Sequence, residues 1–145
     1  MTERAIQVTS YDRDRLMEVI AEKRKRTGLA EREDWLIRAL EQKLLRAQVL
    51  SWDLIPHRVV TMNSQLSLEE EGNGARTIVE VVFPEDASVK LNRISILTQL
   101  GIALLGLEVG EVVELDDFLG GPRFRLVALL YQPEENLRAN RSVSQ

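Results

Sequence analysis

The stretch ISILTQLGIALLGLEVGEVVEL, residues 94–115, changes its pattern twice and decides how the rest of the chain is interpreted. Residues 94–97 read as a strand, and the leucines of residues 98–105 then fall on one side of about two helical turns. Gly106 suits the left-handed backbone that ends a helix, and a Val-Gly turn leads into a second strand, residues 111–115. A twisted sheet leaves one concave face uncovered, so this short apolar helix is predicted to cover it.

The segments on either side of this stretch alternate apolar and polar residues, as the strands of a half-buried sheet do. The predicted strands are residues 59–62, 65–70, 76–83, 94–97, 111–115 and 123–131. The Asn-Gly pair within residues 71–75 favours a tight reversal, and the Gly-Gly-Pro turn at residues 120–122 precedes the last strand. Residues 84–92 are polar and are predicted to form a loop. The pattern as a whole predicts a twisted, mainly antiparallel sheet of about five or six strands.

The N-terminal third of the chain has helical spacing instead of alternation. Thr9 or Ser10 is suited to cap a first helix over residues 11–26. A second helix, beginning at about Ala30, repeats apolar residues in a narrow seam that fits one neighbour. Joined around Gly28, the two helices predict an antiparallel hairpin, a short coiled coil with too little core to stand alone.

These patterns predict an α+β chain in three parts. Residues 1–52 form the helical hairpin, and residues 53–134 form a sheet domain with one short helix. Residues 135–145 are polar and are predicted to be a mobile tail.

The composition excludes several functional classes. The chain has no cysteine and one histidine, so it has no disulfide framework, zinc-thiolate site or thiol nucleophile, and a transition-metal site is not expected. No apolar run reaches the ~20 residues of a membrane span, and the N-terminus lacks the apolar core of a secretory signal. We therefore expect a cytoplasmic protein.

The charge is distributed unevenly along the chain. Residues 1–50 hold 11 Lys and Arg against 9 Asp and Glu, whereas residues 51–145 hold 8 against 14. The single basic cluster, residues 23–26, lies at a predicted helix end, where cations complement the helix dipole. The alternative interpretation of this cluster is a nucleic-acid patch, which needs clustered cations. Direct, sequence-specific binding of nucleic acid is not expected.

Residues 94–110 are similar to the signature of the GreA/GreB transcript cleavage factor C-terminal domain, in which a strand leads through a Ser-Pro-Leu-Gly corner into Ala-Leu-Leu-Gly and a Val-Gly turn. The matching residues are Ile94, Ser95, Ile96, Leu100, Gly101, Ala103, Leu104, Leu105, Gly106, Val109 and Gly110. IPHRVVTMNS, residues 55–64, and LLYQPE, residues 129–134, resemble the branch of that family called regulator of nucleoside diphosphate kinase. The resemblance covers about residues 55–134 and includes the hairpin only in outline.

The resemblance implies an FKBP-like domain that docks on bacterial RNA polymerase beside its secondary channel, with the hairpin pointing into that channel. The implied docking residues are Leu97, Thr98, Gln99, Leu100 and Gly101. Gln99 occupies the position of the corner proline, whose ring would stiffen the docking loop, so its presence implies weaker docking. Neither a membrane nor a small-molecule substrate is among the implied partners.

The tip of the hairpin is the second implied site, and its residues are Arg26, Gly28, Leu29, Glu31, Arg32 and Glu33. In the cleavage factors, acids at this tip help to hold a catalytic Mg²⁺, because a hard cation needs oxygen ligands. Here Leu29 and Arg32 stand where the two acids are expected, and an arginine repels a metal ion. The resemblance therefore implies a non-catalytic regulator, with no metal or cofactor, that competes with cleavage factors.

Two alternatives stay open. If Glu31, Glu33 or Asp34 forms the tip, the chain is a true cleavage factor, although acids in the first turn of a helix are also explained by its dipole. An FKBP-like fold also admits a peptidyl-prolyl isomerase, which needs an apolar pocket lined by aromatic residues. The few aromatic residues of the sheet domain are spaced as strand or loop residues and disfavour that activity.

Overall fold

The structure is a computed structural model that describes residues 5–26, 28–115 and 121–143. The N-terminal part consists of strand β1 (Gln7–Thr9), helix α1 (Ser10–Arg24), helix α2 (Glu31–Arg46) and strand β2 (Gln48–Leu50). Strands β1 and β2 pair in parallel, with Val8 opposite Val49. The pairing joins the start of α1 to the end of α2, so it closes the base of the predicted helical hairpin.

Local chemistry accounts for the helical hairpin. Thr9 caps α1, because its hydroxyl oxygen accepts a hydrogen bond from the backbone nitrogen of Asp12 at 3.0 Å. Acids fill the first turn of α2, where they face the positive end of the helix dipole. The guanidinium of Arg24, the last residue of α1, forms two hydrogen bonds to the Glu41 carboxylate of α2, at 2.7 and 2.8 Å. The pair links the two helices on their exposed side.

The second part is a five-stranded sheet with one short helix, α3 (Gln99–Leu104). Its strands are β3 (Gln65–Glu70), β4 (Arg76–Val82), β5 (Arg93–Ser95), β6 (Val112–Glu114) and β7 (Arg123–Tyr131). The strand order is β5-β4-β3-β7-β6, and every neighbouring pair is antiparallel except β4 and β5. This arrangement confirms the predicted α+β class, a helical hairpin followed by an FKBP-like domain with a mainly antiparallel sheet.

The segment predicted as a strand over residues 59–62 is extended but is not part of the sheet. Val59 forms an isolated bridge with Glu108. The Val60 nitrogen donates to Leu107 O at 2.9 Å, and the Gly106 nitrogen donates back to Val60 O at 2.9 Å. The segment therefore pairs with the turn after α3 and not with a strand. Residues 116–120, which include the first glycine of the predicted turn before β7, lie outside the described residues.

Helix α4 spans Pro133–Val143, so most of the polar tail predicted over residues 135–145 is helical. The mobility of this segment stays a prediction. Arg138 on this helix donates to the carbonyl oxygen of Trp52 at 3.1 Å and to the Glu135 carboxylate at 2.7 Å. The bond to Trp52 O links the helix to the segment after β2, whereas the bond to Glu135 lies within α4. Along the described residues, no helix has the length and hydropathy to cross a membrane.

One hydrophobic core runs through both parts of the molecule. The buried residues of the hairpin that belong to it are Leu16, Ile20, Leu36, Ile37, Leu40 and Leu44, and those of the sheet domain include Leu66, Phe83, Ile96, Leu104 and Leu126. The Lys43 ammonium of α2 also donates to the carbonyl oxygens of Ile102 and Ala103 at the end of α3. The hairpin therefore lies against the sheet domain, and a domain boundary after residue 52 stays a prediction.

Candidate functional site

The strand-to-helix corner between β5 and α3 is fixed by side-chain hydrogen bonds. The Ser95 hydroxyl accepts from the Leu97 nitrogen at 3.0 Å. The Thr98 hydroxyl donates to Ser95 O at 2.7 Å and accepts from the Gly101 nitrogen at 3.0 Å, so Thr98 caps α3. The corner is thus a preformed surface and not a flexible loop.

Gly101 is required by the tightness of this corner. A Cβ atom at Gly101 would lie 2.2 Å from Ser95 O and 2.9 Å from the Cα of Ile96, and both of these are backbone atoms. Gly106, just beyond α3, has φ +82, which confirms the predicted left-handed backbone, and a Cβ there would lie 2.9 Å from a side-chain atom of Ile6. The two glycines allow α3 to sit directly on the sheet and on the segment before β1.

The structure brings the five predicted docking residues together at this corner. Leu97 and Leu100 are half-buried and pack against the core, and Gly101 is fully buried. Thr98 and Gln99 are partly exposed at the start of α3. The face that a partner can reach therefore consists mainly of Thr98, Gln99 and one side of Leu97. The docking role of these residues stays a prediction.

An apolar groove of about 420 Å³ lies beside the corner. Its lining includes Val79, Ala87, Val89, Ile94 and Thr98. Val89 is 96% exposed, the highest exposed fraction among the exposed large hydrophobic residues of the described part of the chain. The groove therefore presents apolar surface that the fold itself does not use.

The loop that carries Val89 is held in shape at its base. Ser88 and Arg93 exchange two backbone hydrogen bonds, of 3.0 and 2.9 Å, and the Leu91 nitrogen donates to the Ser88 hydroxyl at 3.2 Å. The prediction of a polar loop over residues 84–92 did not include this apolar surface. The available signal was the pair of apolar residues, Val89 and Leu91, on either side of Lys90 in an otherwise polar segment.

A second groove, of about 200 Å³, separates the corner from the outer end of the hairpin. Lys23 and Glu33 of the hairpin line one side, and Pro84 and Leu97 line the other. The sequence analysis treated the docking corner and the hairpin tip as separate sites. The structure places part of the tip directly beside the corner.

The tip residues differ in their exposure. Arg26, Gly28, Glu31, Arg32 and Glu33 are exposed, whereas Leu29 is half-buried and packs against the core. The neighbouring carboxylate of Asp34 is paired with Arg38 at 3.0 Å. In the part of the chain that the structure describes, no three His, Cys, Asp or Glu side chains are grouped so that they could hold a metal ion.

A pair of buried carboxyl groups fixes the base of the hairpin to the sheet domain. Asp12 of α1 accepts a hydrogen bond from the Met62 nitrogen at 3.0 Å, and Glu134 of α4 accepts one from the Thr61 hydroxyl at 2.6 Å. Burial raises the pKa of Asp12 from 3.8 to about 7, and the charge of Glu134 adds to that increase. Asp12 lies in the first turn of α1, where an acid is expected at the surface, so its local sequence does not predict this contact.

Residues 55–123 match the family described as "Transcription elongation factor, GreA/GreB, C-term". The regulator of nucleoside diphosphate kinase of Escherichia coli (strain K12) is 35% identical over 98 residues, which are 66% of this chain and 71% of that protein. The transcription inhibitor protein Gfh1 of Thermus aquaticus is 40% identical over 95 residues, 64% of this chain and 59% of that protein. The structure of a GreA/GreB transcription elongation factor from Nitrosomonas europaea superposes with a TM-score of 0.68 at 35% identity, covering 87% of this chain and 99% of that one.

Proposed function

This chain belongs to the GreA/GreB family of transcription factors, and from that premise we propose that it is a non-catalytic regulator that binds bacterial RNA polymerase. In this proposal the corner between β5 and α3 docks near the secondary channel and competes there with cleavage factors. The observation that carries the proposal is the apolar groove with the exposed Val89, next to a corner fixed by hydrogen bonds.

The groove and the corner have the properties of a protein-docking surface. An apolar side chain of the partner gains free energy on entering the groove, because both surfaces leave water. The fixed Ser95–Thr98–Gly101 hydrogen bonds mean that little backbone order has to be acquired on binding. Gln99 at the edge offers an amide for hydrogen bonds at a polar rim. These features favour a macromolecular partner over a small substrate.

The hairpin supports a role without transcript cleavage. Helix α1 has 15 residues and is therefore about 22 Å long, and both helices share the core of the sheet domain. Its outer end lies beside the corner, so the hairpin has a short reach. The exposed Arg26 and Arg32 add positive charge at the tip, where a metal site needs carboxylates. The Thermus aquaticus relative is a transcription inhibitor protein and the Escherichia coli relative is a regulator, which agrees with this assignment.

Transcript cleavage is the second candidate, because Glu31 and Glu33 are exposed at the tip and the family description is that of elongation factors. The isomerase alternative has less support. The groove beside the corner is lined by aliphatic and polar residues, whereas proline-binding pockets take much of their contact area from aromatic rings.

Binding to purified core polymerase tests the proposal. We expect the wild-type chain to bind and to displace a labelled cleavage factor, and Val89→Asp to weaken binding at least tenfold. Leu54→Asp is the matched control. Leu54 is also largely exposed, but it lies in the segment after β2 and does not line the groove, so this variant should bind polymerase as the wild type does. If the two variants bind core polymerase with equal affinity, the groove is not part of the interface.

A backtracked elongation complex separates the two candidate functions. A regulator of the proposed kind leaves the rate of transcript shortening unchanged, and it slows shortening when a cleavage factor is present. If the chain accelerates shortening and Glu31→Gln or Glu33→Gln abolishes the gain, the cleavage alternative is correct.

A further inference from the structure

Hydrogen bonds close the turn of residues 88–93 and fix its shape. Ser88 and Arg93 form an antiparallel bridge at its base, and the Asn92 nitrogen donates to Val89 O at 3.2 Å across it. Asn92 has φ +54, a left-handed backbone that asparagine adopts more readily than most residues with a side chain. The turn is therefore a preformed projection, so little backbone order has to be acquired when it binds a partner.

The apex of this turn, residues 89–91, presents a cation between two exposed apolar side chains. Val89 and Leu91 are 96% and 58% exposed, and Lys90 lies between them in the sequence. Val89 also lines the groove of about 420 Å³ beside the corner, where it continues the apolar surface to which Ile94 contributes. Contiguous apolar surface marks an interaction site, whereas a single exposed apolar residue does not. The apex and the groove therefore form one surface.

The charge of Lys90 is not used within the chain. Among the described residues its ammonium takes part in no ion pair or hydrogen bond, whereas Arg93 at the base of the turn is paired with Glu80 at 3.2 Å. The two acids that precede the turn, Glu85 and Asp86, do not line the groove. The apex thus offers a full positive charge, at the edge of an apolar surface, that no group of the described chain neutralises.

We propose that the apex selects the docking partner, and that it fits a protein surface with an apolar side chain beside an aspartate or glutamate. This inference rests on the proposed binding to polymerase and adds the chemistry of the polymerase surface. The apolar side chain enters the groove against Val89, and the carboxylate pairs with Lys90 at the rim. The ion pair speeds association and disfavours partners that present a cation. A nucleic acid is disfavoured, because binding to a phosphate backbone needs several clustered cations.

The test is the binding of the full-length chain to core polymerase without DNA or RNA, with association rates measured at several salt concentrations. At about 0.1 M salt, Lys90→Glu should weaken binding about tenfold and Lys90→Met about threefold. Lys90→Arg keeps the charge and should bind as the wild type does. The effect of Lys90→Glu should come mainly from slower association, and it should fall below about threefold at about 0.5 M salt, where exposed charges are screened.

Arg46→Glu is the matched control. Arg46 is exposed in the last turn of α2, takes part in no ion pair among the described residues and lines neither groove beside the corner. The variant changes the net charge by the same amount as Lys90→Glu, and it should bind core polymerase as the wild type does. Because both positions are exposed, both variants should fold, and circular dichroism checks that they do.

The outcomes separate this inference from the proposed function. If the wild type does not bind core polymerase, both are wrong. If the wild type binds and Lys90→Glu binds equally well, the proposed function stands and the acidic partner surface is overturned. The inference is also overturned if Arg46→Glu weakens binding as much as Lys90→Glu does, because the effect is then one of net charge. Weakening that occurs only with elongation complexes, and not with core polymerase, would assign Lys90 to a phosphate of nucleic acid instead.

Discussion

Replacement of Asp12 by asparagine should change how the stability of the protein depends on pH. The folded protein raises the pKa of Asp12 from 3.8 to about 7, chiefly through burial. The folded state therefore binds a proton at this group more tightly than the unfolded chain does, and the free energy of unfolding falls as pH rises between these two values. Through this group the free energy of unfolding falls by at most about 1.4 kcal/mol per pH unit. Above the folded pKa, the total loss of stability from ionising Asp12 is therefore about 4 kcal/mol.

Asparagine has nearly the same shape and retains an oxygen that accepts from the Met62 nitrogen, but it does not ionise. The unfolded wild-type chain already ionises at pH 5, so Asp12→Asn should be more stable than the wild type there by about 1.6 kcal/mol, and the two should be equally stable only below about pH 4. Near pH 8 the variant should be the more stable protein, by up to about 4 kcal/mol. The pH dependence of the wild type over this range should be largely lost.

Urea denaturation followed by circular dichroism, at several values between about pH 5 and pH 8, measures these differences directly. Asp14→Asn is the control, because Asp14 is exposed beside Arg13 and should leave the pH dependence unchanged. The reasoning is refuted if Asp12→Asn is less stable than the wild type near pH 8, or if its stability falls with pH as steeply as that of the control.

Substitutions at three further positions test the corner and the hairpin by the same denaturation measurement. Gly101→Ala should lower the free energy of unfolding by about 1–3 kcal/mol, because its Cβ would overlap Ser95 O; an unchanged value would contradict the rigid corner. Thr98→Val should cost about 1 kcal/mol through loss of the α3 cap, and Thr98→Ser, which keeps the hydroxyl, should cost much less. Arg24→Ala should cost under about 1 kcal/mol despite its two bonds to Glu41, because the pair is solvent-exposed; a larger loss would show that this link holds the hairpin together.

The elements that follow from local pattern were predicted well. Strands β3 and β7 begin and end where their alternation does, and the leucines of α3 with Gly106 gave the short helix and its end. In these segments the apolar period and the turn residues both point to the same structure, so no tertiary information was needed.

The features that were missed depend on contacts between distant residues. Helix α4 has a polar sequence, and the bond from Arg138 to the distant Trp52 carbonyl links it to the segment after β2. Asp12 and Asp14 both lie near the start of α1, and only packing distinguishes the buried one from the exposed one. The nearness of Glu33 to Leu97 likewise results from how the hairpin lies on the sheet. A periodic pattern shows which face of an element is apolar, but not what that face meets.

The parallel pairing of β1 with β2 places the two ends of the helical segment side by side. The helical segment therefore enters and leaves the base at neighbouring points, so its two helices can be lengthened together if the core residues near the base are kept. Whole turns added to α1 and α2 together beyond Arg24 and Glu31 would lengthen the arm and leave the shared core intact. Arms of different lengths could in this way be grafted onto one and the same base.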